Sequence, residues 1–189
     1  SYSIKSTEVN RILQDIQQDK IGIPEMQRPF VWSKVQVRDL IDSLYRGYPI
    51  GFIVTWENPD ANLKAGGKGQ NKEIIIDGQQ RITALSAALM GKEIVNEKYS
   101  KERIYIAFNP ATEEFATRSA AIAKDPKWIS DISIFNQPGF NTYKYINENC
   151  ERFGMSGDKL NVAVQKLMLI YNSEIGVIDL VSNLPIDQV

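Results

Sequence analysis

At 189 residues, with 43% apolar and 24% charged side chains, the chain can bury a core without covalent staples, as one large domain or one domain with an appended piece. Lys plus Arg numbers 22 and Asp plus Glu 23, a net charge of −1, which excludes the basic excess of a general nucleic-acid binder but leaves room for a local basic pocket. Histidine is absent and Cys150 is the single cysteine, so Ser-His-Asp and Cys-His catalysis, His-ligated zinc and an internal disulfide are all excluded. Catalysis here would fall to carboxylates, Lys, Arg, Tyr, hydroxyls, backbone amides or a metal held by oxygen. Cys150, in a helix-like stretch, reads as a small buried hydrophobe. No run approaches the ~20 apolar residues that span a bilayer. No signal pattern opens the chain, and a lone thiol suits a reducing interior, so a cytoplasmic setting is expected. The first residue is Ser and the last Val189, which reads as a fragment of a longer protein.

Taken in order, Val9, Ile12, Leu13 and Ile16 have one-face helical spacing behind Ser6 and Thr7, predicting a capped helix over 7–19. Ile21 to Pro24 predicts a short strand ended by the proline. Ser33 opens a second helix with Gln36 in capping-box position, apolar Val37, Leu40, Ile41 and Leu44, and Gly47 as its stop. Phe52 to Trp56 predicts a strand, and 57–72, rich in Asn, Asp, Gly and Lys, a loop. That loop lacks the Gly-x4-Gly-Lys-Ser/Thr spacing of a P-loop. Glu73 to Ile76 resumes as a buried strand, and Arg81 to Met90 predicts a helix through Ile82, Leu85 and Leu89, stopped by Gly91.

Arg103 to Phe108 predicts a strand that turns at Asn109-Pro110 and pairs back through Glu113 to Thr117. Trp128 to Phe135 reads as strand or irregular, and 141–153 and 158–171 as helices, the latter capped by Asp158. Glu174 to Leu180 predicts a last strand. The alternation predicts a mixed α/β or α+β domain over 1–120 and a mainly helical extension over 121–189.

The segment Ile74-Ile75-Ile76-Asp77-Gly78-Gln79-Gln80-Arg81-Ile82-Thr83 carries the strongest chemical signal. A strand delivers the chain to a glycine turn and a helix begins at once, so unpaired amides and the positive end of the helix dipole meet there. An anion fits such an end, and Arg81 adds a donor fork matched to phosphate. Gln79 and Gln80 add amides that can orient oxygen or base edges, and Asp77 a carboxylate able to bind Mg²⁺ or act as a base. A plain turn capped by Asp77 accounts for several of the same residues, but a cation in a first helical turn opposes the dipole.

Two further segments accompany it. In Ile23 to Trp32, Pro24 and Pro29 bracket Glu25, Met26, Gln27 and Arg28, a rigid presentation suited to a second phosphate donor at Arg28. Phe30 and Trp32 read as core anchors. In Leu44 to Gly51, Arg46 complements a helix C-terminus, and Tyr48 and Pro49 line a pocket or shape the next strand.

These three blocks, in this order, resemble the N-terminal domain of the GmrSD-type (type IV) restriction endonucleases, a family defined by an Asp-Gly-Gln-Gln-Arg motif that Asp77 to Arg81 match in full. The resemblance covers about residues 7–90. It implies an α+β fold of ParB/sulfiredoxin-like type, with the nucleotide site at Asp77, Gly78, Gln79, Gln80 and Arg81 and with Gln27 and Arg28 facing it. It also implies a nucleoside triphosphate as ligand with Mg²⁺ at Asp77, NTPase activity through Asp77 and Gln80, and a sensor role in restricting modified phage DNA. The nuclease is expected in a separate C-terminal His-Asn-His half, which a chain without histidine does not contain. A Phe-x-Arg-x-Asn-like segment of the family is expected beyond Val189. The competing expectation is a module that docks a protein or grips DNA backbone phosphate at the same corner.

Overall fold

The computed structural model describes residues 2–23, 29–57 and 73–180. It begins with a strand that local signals hid: Tyr2–Glu8 forms β1, and the first helix, α1, covers Val9–Gln17. Ser6 and Thr7, expected as caps, lie in the strand ladder opposite Gly176 and Ile175. Tertiary pairing thus overrides the capping preference of their side chains. Glu8 precedes α1 with extended backbone and no side-chain cap, and the Val9 amide instead donates to the Ser173 carbonyl at 2.8 Å.

Ile21–Gly22 forms β2 and Lys34–Tyr45 forms α2, which opens as the spacing of Ser33 and Gln36 predicts. The Ser33 hydroxyl accepts from the Gln36 amide at 3.2 Å, and Gln36 Oε1 accepts from the Ser33 amide at 2.8 Å. Phe52–Glu57 is β3, Glu73–Asp77 is β4 and Gln79–Met90 is α3, which starts two residues earlier than expected. Residues 58–72, the expected loop, lie outside the described residues.

Ile94–Val95 (β5) and Lys101–Glu102 (β6) pair as a small ribbon, and Ile106–Asn109 (β7) with Glu114–Thr117 (β8) forms the expected hairpin. Residues 103–105 leave the predicted strand. There Arg103 lies over the Tyr105 ring at 4.6 Å and reaches Asp131 at 3.3 Å. Ala120–Lys124 is α4, and 128–136 is irregular apart from one bridge between Ile129 and Phe108 and a 3-10 turn over Ile132–Asn136. Thr142–Phe153 is α5 and Gly157–Met168 is α6, followed by a 3-10 turn at Leu169–Asn172. Ser156, not Asp158, caps α6, its hydroxyl accepting from the Lys159 amide at 3.2 Å. Asp158 sits inside the first turn, where its charge complements the dipole.

The last strand, β9 (Glu174–Leu180), returns to the beginning of the chain. The main sheet runs β1-β9-β3-β4-β2, with β9 antiparallel to β1 and parallel to β3, β3 antiparallel to β4, and β4 parallel to β2. It takes strands from both sides of residue 120, and the whole is an α+β arrangement. Ile53, Ile75, Ile175 and Val177 of the sheet join Ile12, Leu13, Ile41, Leu44, Ile82, Leu85, Leu89, Leu160 and Val164 of the helices in one core. Helix α3 is its most enclosed helix, with Ile82, Ala84, Leu85, Ala87, Ala88 and Leu89 all buried. That burial fixes where the N-terminus of α3 points and holds it against the sheet.

Candidate functional site

The Asp77–Arg81 corner begins with a fault in the sheet. Thr55 pairs with Ile75 but Val54 pairs with Asp77, so Ile76 is an extra residue on β4. Such a bulge bends a strand and re-aims the residues beyond it, and here it falls one residue before the corner. Gly78 then takes φ +88 and ψ 12, the left-handed conformation that glycine adopts without strain. A Cβ on Gly78 would lie 2.8 Å from Ile53 Cγ2. Close approach at this glycine is therefore made by β3 itself, which draws the start of α3 onto the sheet.

Gly78 is the N-cap of α3 and no side chain caps it. Asp77, which a plain turn would use as the cap, makes no hydrogen bond to the helix and is exposed. The opening amides of α3 therefore have no side-chain acceptor among the described residues, at the positive end of an aligned set of peptide dipoles.

Arg81 adds a fixed cation there. Its Nη1 donates to the Phe52 carbonyl at 2.8 Å, and its guanidinium passes 3.4 Å from where a Cβ on Gly51 would lie. Among the described residues no carboxylate pairs with it. A braced cation beside uncapped amides is unfavourable by itself, and an anion placed there relieves both.

Both glutamines of the motif are engaged with backbone groups. Gln79 Nε2 donates back to the Ile75 carbonyl at 2.8 Å. Gln80 clamps the segment 29–31 from both ends of its amide: Oε1 accepts from the Val31 amide at 2.9 Å and Nε2 donates to the Pro29 carbonyl at 3.2 Å. The Phe30 amide, between them, donates to the Val95 carbonyl at 2.9 Å. The corner is thus tied to the proline-bracketed block read from the sequence. Gln27 and Arg28 themselves lie outside the described residues. Phe30 is buried and Trp32 packs half-buried against the core, so both are anchors. Arg46 pairs with Asp42 at 3.0 Å at the end of α2, a sufficient structural role, and Tyr48 is exposed.

For a metal, Asp77 is the one carboxylate the motif supplies, and no group of three or more metal-ligating side chains exists among the described residues. One carboxylate fits Mg²⁺ where phosphate oxygens and water complete the shell, and does not fit a cation held by protein alone.

Two cavities flank this region. The larger, about 540 Å³, lies between α1 and the sheet and meets the corner only through Ile53. Two of its three cations are matched: Lys5 contacts Asp179 at 2.6 Å and Glu73 at 3.2 Å, and Arg11 contacts Asp15 at 3.2 Å. Burial pushes the Lys5 ammonium down, but hydrogen bonds from it to Asp179 and Glu73 outweigh that and hold it above its ordinary value. The smaller, about 280 Å³, borders Gln80 and continues along α3 past Thr83 and Ser86. Sequence reasoning missed these last two. Their signal was present: Gln80, Thr83 and Ser86 recur every third residue, and Thr83 and Ser86 are the polar residues of the helix beyond its first turn.

Compared with known families, residues 9–182 match the family model described as GmrSD restriction endonuclease, N-terminal domain. No curated protein matches the chain.

Proposed function

This chain belongs to the family of GmrSD restriction endonuclease N-terminal domains, and we propose that its β4–α3 corner binds the phosphates of a nucleoside triphosphate. The observation that carries the proposal is the pairing of an uncapped helix start with the Arg81 guanidinium braced on the Phe52 carbonyl. Backbone amides from Gln79 onward and the remaining Arg81 donors would hold phosphate oxygens, in the geometry that helix N-termini provide for anions. Asp77 would hold a Mg²⁺ ion shared with those phosphates, which neutralises part of their charge when bound.

Binding is better supported than turnover. Gln79 and Gln80 direct their amide nitrogens to backbone carbonyls, and Gln80 thereby positions the 29–31 segment. In this reading the domain has the ParB/sulfiredoxin-like arrangement of a strand–turn–helix nucleotide corner. It serves as the nucleotide-sensing half of a phage-defence protein acting on modified DNA, whose nuclease lies in a separate domain.

The test is nucleotide titration of the wild type and Arg81→Ala with Mg²⁺ present. Loss of the charged hydrogen bonds should weaken binding by about 1.5–3 kcal/mol. Unchanged affinity in Arg81→Ala removes the assignment. Affinity for DNA in place of nucleotide, falling steeply with salt, would identify a backbone-phosphate grip instead.

A further inference from the structure

The geometry points to the cavity of about 280 Å³ beside Gln80 as the seat of the nucleoside, with Thr83 and Ser86 reading the edge of the base. This inference rests on the phosphate reading of the adjoining corner.

Four observations lead there. The cavity and the corner share helix α3: Gln80 lies in the first turn, one residue before Arg81, and Thr83 and Ser86 follow on the same face at successive turns. A ligand anchored by phosphate at the helix start would therefore meet this cavity along the helix. The walls are apolar and partly flat, made by Ile16, Ile23, the buried ring of Phe30, Ile94 and Val95. Flat apolar walls with a few polar groups are what a nucleobase needs for its two faces and its edge.

The polar groups are also unused. Thr83 and Ser86 are half-buried, and among the described residues neither hydroxyl has a hydrogen-bond partner. Hydroxyls donate and accept, so a base edge of either polarity can be met. Lys92 and Glu93 stand exposed at the rim, placed for the ribose or the outer edge of the base.

Finally, the Phe30 wall is held rigidly. The Phe30 amide bonds to Val95 and its neighbours bond to Gln80, so one clamp shapes the cavity and braces the residue next to the phosphate corner. The larger cavity near α1 offers no comparable seat, because no residue of α3 lines it and it therefore lies off the helix face that leads from the corner.

The experiment compares two kinds of ligand on the 189-residue protein, with Mg²⁺ present. Calorimetric affinities are measured for ATP, GTP, CTP and UTP and for inorganic triphosphate, on the wild type and on Ser86→Leu and Thr83→Val. The tightest nucleotide should bind the wild type about tenfold better than triphosphate, which lacks the nucleoside. Ser86→Leu, which fills the cavity, should erase that advantage and leave triphosphate affinity unchanged. Thr83→Val keeps the shape and removes the hydroxyl, so it tests the polar contact without filling the cavity, and should lower nucleotide affinity about fivefold. Equal binding of nucleotide and triphosphate by the wild type overturns the inference while leaving the phosphate corner intact, and so does unchanged nucleotide affinity in Thr83→Val. Binding of neither ligand removes the corner and the cavity together.

Discussion

Helices α2 and α3 are both 12 residues long, both packed into the same core, and they begin in opposite ways. At α2, Ser33 and Gln36 satisfy each other's amides reciprocally, so the helix start is closed by its own sequence. At α3 a glycine stands where the cap would be, no side chain among the described residues covers the amides, and an arginine sits in the first turn. The other end of α2 is tied to a distant segment. The Tyr45 hydroxyl donates to Glu113 Oε1 at 2.5 Å, and Lys166 pairs with the same oxygen at 2.9 Å. Burial first, and the Glu113 hydrogen bond second, push the Tyr45 hydroxyl well above its ordinary value, so it stays a donor. A helix whose opening amides are answered by its own side chains explains itself; one whose opening amides and cation find no side-chain partner among the described residues is arranged for something else.

The contrast can be broken at three points. The largest effect is expected at Gly78. Alanine there must adopt a left-handed backbone and press its Cβ against Ile53, so Gly78→Ala should lose about 3 kcal/mol in a urea melt. Gly139, at φ +78 with nothing within 4 Å of a Cβ, is the control, and Gly139→Ala should lose only about 1 kcal/mol. Equal losses would mean that the approach of β3 to the corner does not matter.

Ser33→Ala opens the closed helix. It should lower stability by about 1 kcal/mol, the ordinary value of a cap, and leave nucleotide affinity at the wild-type level. A change in affinity would show that the two helix starts are coupled.

The smallest effect is at the far end of α2. Hydrogen bonds from Tyr45 and then Lys166 hold the Glu113 carboxyl below its ordinary value. A lowered folded value means stability that is complete above the ordinary carboxylate value and is lost as pH falls through the lowered one. Glu113→Gln should therefore flatten the acid limb of a stability–pH curve slightly, an effect limited by the exposure of the site. An unchanged acid limb would mean that the Tyr45–Glu113–Lys166 contact does not stabilise the end of α2.

Much of this was legible because it is local. The Ser33–Gln36 box, the apolar faces of α2 and α3, the hairpin at Asn109 and the strand Glu174–Leu180 come from spacing and turn chemistry within a few residues. The motif at Asp77 to Arg81 marked the corner for the same reason, and its agreement with two other blocks pointed to the family. Elsewhere distant partners intervened. Ser6 and Thr7 carry a cap signal, but β9, nearly the whole chain away, takes their backbone into the sheet. At Asp158 the competitor was local instead: Ser156, two residues earlier, takes the cap and the helix has already begun.

The sequence by itself determined which residues form the corner and which helices stand around it, because periodicity, capping and glycine turns act over one or two turns of chain. Only the tertiary structure decided what those residues do. Gly78 answers to Ile53 on β3, Arg81 is braced on the Phe52 carbonyl, and Gln80 holds Pro29 and Val31. Each of those partners lies far away along the chain, and a side chain with several donors or acceptors has no assigned partner until packing brings one within hydrogen-bond distance.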